Sequence, residues 1–234
     1  MRRLWRFAPK AVRQSLLLTL LAVPNSALAD DTIHAPPRSA SLTWDGVNHS
    51  YLYATVSYRD VVNADIKAKL TRGLPTTIVF TANLSRVGSD VPAASTVQSC
   101  RITWHVWEEA YRLEIIRAGA STSLTWTTTT EGVLRRCAEA RRLLVATRDQ
   151  VPVGVPLVLH VRVDVNPIGD DLLQKIKRWV SRPAGSGSSA PGDALFGTFT
   201  GFFMQRIGEA ERVLIFTTRP AVPTVASQSS KSSP

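Results

Sequence analysis

Between Val155 and Val165 every second residue is a branched aliphatic: Val155, Leu157, Leu159, Val161, Val163 and Val165. A helix would scatter that row around its circumference, whereas an extended strand sends it to one side. Asn166-Pro167 ends the run, because proline has no N–H to give to a ladder. The same period recurs along the chain. In "SLTWDGVNHSYLYATVSYRD" it sets Leu52, Ala54, Val56 and Tyr58 on one face of a hairpin that turns near Asp45-Gly46 or Asn48. In "TTIVFTANLSRV" it sets Ile78, Phe80, Ala82 and Leu84 inward, and "CRITWHVWEEAYRLEIIR" reads as a second hairpin. There Cys100, Ile102, Trp104 and Val106 share a face, and Tyr111, Leu113 and Ile115 return after a turn near Glu108-Glu109. "STSLTWTTTT" is a further β-prone run, and "RVLIFTTRP" a last strand.

Helical spacing appears in four places. Asn63 is a good N-cap for "ADIKAKL", with Gly73 a C′ residue before Leu74-Pro75. Thr128 and Glu131 can form a capping box, after which Val133, Cys137, Ala140 and Leu144 fall on one side. "DDLLQKIKRWV" carries a stripe of Leu172, Leu173, Ile176, Trp179 and Val180, and "ALFGTFTGFFM" reads as a core helix after the spacer "AGSGSSAPG". Strands outnumber helices and are joined mostly by short turns. The expected fold is therefore α+β, a mostly antiparallel sheet with three to four packed helices, the alternative being a β-sandwich with helical insertions.

The N-terminus predicts a destination. Arg2, Arg3, Arg6, Lys10 and Arg13 precede a short apolar run, Ser15 to Val23, and then Ala27-Leu28-Ala29. That order is the secretory signature, and the run is too short to span a bilayer. The expected organisation is a signal peptide at 1–29, a flexible lead-in at 30–40, one domain at 41–219 with a flexible loop at 183–193, and a disordered tail at 220–234. Lys and Arg total 28 against 18 acidic residues, but five of the basic residues lie in the leader. The remainder, 23 against 18, gives +5. An exported chain of that charge is expected in the periplasm or outside a Gram-negative cell, meeting an envelope protein or an anionic envelope component. Nucleic acid is excluded as a partner, since the basic residues are scattered rather than set in a stripe with aromatics.

Chemistry is sparse. H-E-x-x-H, G-x-S-x-G, S-x-x-K and the P-loop pattern are all missing, and the sequence points to no catalytic residue, cofactor or metal ligand. His105 and His160 fall out of phase with their apolar rows. His160, Arg162 and Asp164 thus share a polar strand face, an acid/base-like cluster that with His105 gives an envelope hydrolase as an alternative reading, although simple alternation also produces the pattern. In an oxidising compartment Cys100 and Cys137 suit a strand-to-helix disulfide, with two buried thiols as the other reading. Lys175, Lys177, Arg178 and Trp179, followed by Phe202 and Phe203, combine a basic flank with an apolar surface. That combination fits core packing, partner docking or a membrane surface, but the apolar stretch is too short to cross a bilayer.

The succession "NADIKAKLTRGLPTTIVFTANL", "ITWHVWEEAYRLEI", "TTEGVLRRCAEARRLLVA" and "VPLVLHVRVDV" resembles an uncharacterised exported family of proteobacteria, the domain of unknown function 4390. The resemblance covers Val61 to Arg219, and the Gly/Ser spacer with the apolar stretch after it departs from the family's pattern. It implies a bacterial envelope location and no catalytic activity.

Overall fold

A computed structural model of the chain describes residues 32–167 and 210–226. Eleven strands fall into two sheets: β1 (Thr32–His34), β2 (Ser41–Asp45), β3 (Tyr51–Ser57), β4 (Thr76–Arg86), β5 (Ala94–His105), β6 (Ala110–Arg117), β7 (Ser123–Thr127), β8 (Glu139–Thr147), β9 (Leu157–Pro167), β10 (Ala210–Thr217) and β11 (Thr224–Val225). Seven of them run in the order β1-β10-β9-β4-β5-β6-β7, and four in the order β11-β2-β3-β8. All neighbours are antiparallel except β1 with β10 and β11 with β2.

One core lies between the sheets. Leu42, Trp44, Leu52, Ala54 and Val56 of the smaller sheet meet Ile78, Phe80, Ala82, Leu84, Leu159, Val161 and Val163 of the larger. The rows of β3, β4 and β9 read from the alternating sequence are buried as expected, Leu157 to Val165 included, while Val155 packs against the core just before its strand.

Helix α1 (Ala64–Thr71) follows its caps. Asn63 Oδ1 accepts from the Ile66 N–H at 2.9 Å. At the other end Gly73 (φ +77°) donates to Leu70 and Leu74 donates to Lys69, the paired bonds of a Schellman motif, which needs a left-handed residue where Gly73 stands. Ile66 and Leu70 enter the core, and the Tyr111 hydroxyl donates to the Leu70 carbonyl at 3.1 Å.

The structure corrects the expected fold class. Among the described residues, two α-helices of eight residues and two sheets replace three to four helices packed on one sheet. The helices expected in 170–182 and 194–204, and the loop at 183–193, lie outside the described residues, as do the leader and residues 227–234. The main error falls after α2 (Thr130–Cys137). Its N-cap is Thr129, whose hydroxyl accepts from Gly132, one residue later than expected. It stops at Cys137, and the "EARRLLVAT" read as more helix is β8. Ala140 and Leu144 sit at helical spacing by coincidence. The free edge of β3 recruits this stretch into a ladder, and non-local pairing overrides a marginal helical preference. The fit needs two register shifts, and Arg142 (φ +47°) lies within one of them.

Both ends of the domain are more ordered than expected. Thr32–His34, within the lead-in predicted to be flexible, pairs with Val213–Ile215. In the tail predicted to be disordered, Ala221 exchanges two backbone bonds with Leu157, and β11 adds to β2. Val106, expected on the inward row, sits instead in the turn between β5 and β6 and is largely exposed.

Candidate functional site

Every second residue of the seven-stranded sheet points away from the core, onto an outer face with two unlike halves. Across β10, β9, β4, β5 and β6 one register row reads Val213, Asp164, Val79, Ser99, Ile116, and all five residues are buried. Val79, Val97, Ile116 and Val213 stand apart from the core cluster although they are as buried as its members. Asp164 is fully buried, and the Arg162 Nε donates to both of its oxygens at 2.9 and 3.2 Å. A paired, hydrogen-bonded carboxylate is the form in which a charge tolerates such burial.

The other half, at β5, β6 and β7, is open. Arg112 lies beside Trp126 and Glu114 beside Leu124 in the register of β6 and β7. Leu124 is 56 % exposed and Trp126 45 %. His105, at the end of β5, sets its ring edge-on to Trp126 with centroids 4.9 Å apart, and its Nδ1 lies 3.3 Å from Glu108. The β5–β6 turn then carries Trp107, 94 % exposed, beside Glu108 and Glu109. An apolar ring of that size held in water is the informative kind of exposure, because burial is worth so much more to it. Within the turn Glu109 takes the left-handed conformation (φ +45°), and on the adjoining strands Trp104 packs edge-on against Tyr111.

The polar strand face singled out in the sequence is real, but it is not one site. His160 is exposed, Asp164 buried and Arg162 between them, all on the outer face of β9. His160 lies in register with Asn83 and through it with Ser95, the far end of β5 from His105. Ten residues of strand separate the two histidine rows, roughly 33 Å. His105 therefore shares no site with His160 and Asp164. Among the described residues no group of three or more His, Cys, Asp or Glu side chains is placed to hold a metal ion.

Cys100 and Cys137 are joined as a disulfide with their Cα atoms 5.4 Å apart, tying the middle of β5 to the last residue of α2. Both are fully buried. Lys175, Lys177, Arg178, Trp179, Phe202 and Phe203 lie outside the described residues. No helix among the described residues is long and apolar enough to cross a membrane.

Two further polar clusters are structural. Inside the core the Gln98 Nε2 donates to the Tyr58 hydroxyl at 2.9 Å and to the Glu139 carbonyl at 3.2 Å, while the Arg117 Nε donates to the Gln98 Oε1 at 2.9 Å. Burial pushes the Arg117 guanidinium down and the Tyr58 phenol well up from their ordinary values. At the surface Arg59 bridges Glu131 and Glu139, and Arg141 also reaches Glu139. Burial alone would raise the Glu139 carboxyl, but the hydrogen bonds from Arg141 and Arg59 outweigh it and hold the group below the usual range.

Trp107, Leu124 and Trp126 were not singled out in the sequence. A signal existed for Trp107: a tryptophan beside Glu108-Glu109 at the turn of a hairpin has no sheet face to enter. For Leu124 and Trp126 there was none, since their exposure depends on β7 being the outermost strand. No protein-family model, curated protein or solved structure matches the chain.

Proposed function

We propose that this chain is a non-enzymatic interaction module exported to the bacterial envelope, and that it docks another envelope protein through the β5–β6 turn. The observation that carries the reading is Trp107, almost wholly exposed in the turn between β5 and β6. Tryptophan presented from a fixed backbone is a common energetic centre of protein interfaces, because it fills a pocket at little entropic cost. Val106 extends the apolar tip, and His105 and Arg112 supply polar contacts behind it. A protein partner suits this tip better than an anionic lipid or polymer, since Glu108 and Glu109 beside the ring would repel one.

The leader pattern, the disulfide and the resemblance to the exported family support an envelope location. A peripheral membrane role for 175–204 is the competing reading, and the separation of the His105 and His160 rows counts against a hydrolase site built on them with Asp164.

The test places a photo-crosslinking residue at Val106 in cells, with Val91, equally exposed elsewhere, as the control. A discrete adduct is expected from position 106 alone, and Trp107→Ala should abolish it. Crosslinking that ignores Trp107, or purified protein that floats with anionic vesicles through the tip, overturns the assignment. Sequencing the N-terminus of the native protein checks export separately: a chain starting at Met1 and recovered from cytosol removes that part.

A further inference from the structure

Among the described strands the two sheets end in four edges, and three are protected. β1 and β11 are three and two residues long. β8 carries Glu139, Arg141 and Arg142 and is broken by register shifts. Short strands, charges and bulges are the ordinary defences against edge-to-edge pairing. β7 has none of them. "SLTWT" is five residues long, uncharged and free of proline, and pairs in unbroken register with β6 on one side. The Thr125 hydroxyl accepts from the Arg136 guanidinium and the Thr127 hydroxyl from the Thr129 N–H, so neither side chain caps the outward backbone groups of the strand.

The pattern along β7 is also self-complementary. An antiparallel pairing of two copies about a two-fold axis at Thr125 sets Leu124 of each directly opposite Trp126 of the other. Both are on the outer face and both are exposed in the single chain. An aliphatic–aromatic cross-strand pair of this kind is stabilising, and here it occurs twice. Charge agrees with the same axis. Each row then reads Glu114, Leu124, then Trp126 and Arg112 of the second copy, with opposite signs at its two ends. Moving the axis by one residue, to Leu124 or Trp126, would place like charges at both ends of a row.

We propose that β7 is a homodimerisation edge: two copies pair antiparallel through Thr125 and join their seven-stranded sheets into one. The surface is small beside that of a stable dimer, so the association is weak and depends on concentration. It is independent of the ligand proposed for Trp107, which projects from the neighbouring turn.

The purified full chain, run in sedimentation velocity over a wide concentration range, should pass from monomer to dimer, and Trp126→Lys should shift the midpoint at least tenfold upward. Cysteine pairs then read the register. Directly opposed positions on antiparallel strands fall within disulfide reach, and diagonal ones mostly do not. Thr125→Cys alone should give a covalent dimer under oxidation. Leu124→Cys and Trp126→Cys should crosslink when mixed and far less when either is alone. Because the cysteine variants need only fold as well as the parent, checked by circular dichroism, the result does not hang on Trp126→Lys. A chain that stays monomeric at every concentration overturns the proposal. So does crosslinking that is equal at all three positions, and so does dimerisation unchanged in Trp126→Lys.

Discussion

On the outer face of the large sheet, Val79 and Trp126 obey the same rule and meet opposite fates. Both alternate with core residues, both are apolar, and both stand on strands of one continuous ladder. Val79 is buried at the middle of a sealed row that includes Asp164, while Trp126 lies open on the last strand. The border runs along β5, where Val97 and Ser99 are buried and Arg101 is exposed. Alternation thus fixes which side of a sheet a residue faces, but not whether that side meets water. Pro167 and Ala210, register partners on β9 and β10, stand beside the buried half.

The contrast can be broken by substitution. Val79→Asp sets an unpaired carboxylate at a sealed position and should cost more than about 4 kcal/mol in urea unfolding, or prevent folding outright. A loss below about 1 kcal/mol would mean that the outer half is wet after all. Next in size is the Cys100–Cys137 bond on the boundary strand, which closes a stretch of 37 residues. Its removal by Cys100→Ser with Cys137→Ser should cost about 3 kcal/mol, seen as a lower denaturation midpoint.

Acid sharpens the contrast between the two edges. Glu139 on β8 has a folded pKa held below its ordinary value. Its contribution is therefore complete above about pH 5 and is lost as pH falls through the depressed folded value. Glu139→Gln should flatten the acid limb of the stability curve, and an unaltered limb would show that the Arg59 and Arg141 pairs are idle. The smallest effect belongs to the open half. Leu124→Asp, measured at low protein concentration, should change stability by no more than about 0.5 kcal/mol, against the large loss at Val79.

The same distinction explains what could be read in advance. The inward rows of β3, β4 and β9 were legible because a period of two needs no knowledge of neighbours. The caps of α1 were legible too, because Asn63 and Gly73 act within one turn. β8 was not, because "EARRLLVAT" satisfies two periods and only the vacant edge of β3 decides between them. β1 and β11 are too short to show any period and exist through their partners. Asp164 looked like a solvent-facing residue, because alternation says nothing of how deeply the outer face of β9 is buried. For the proposed docking turn, the bend at Glu108-Glu109 was readable, but the cross-strand packing of Trp104 on Tyr111 beside it was not.

The first and last described strands, β1 and β11, each complete a sheet by lying parallel to a partner far away in sequence: β1 on β10, and β11 on β2. A chain threaded across a membrane with its amino end leading would bring out Thr32–His34 long before the segment that receives it. Neither layer could finish assembling until β10 and β11 had emerged. Such distant closures favour slow, all-or-none maturation over piecemeal folding, and they leave the waiting β-strands with unpaired edges in the meantime.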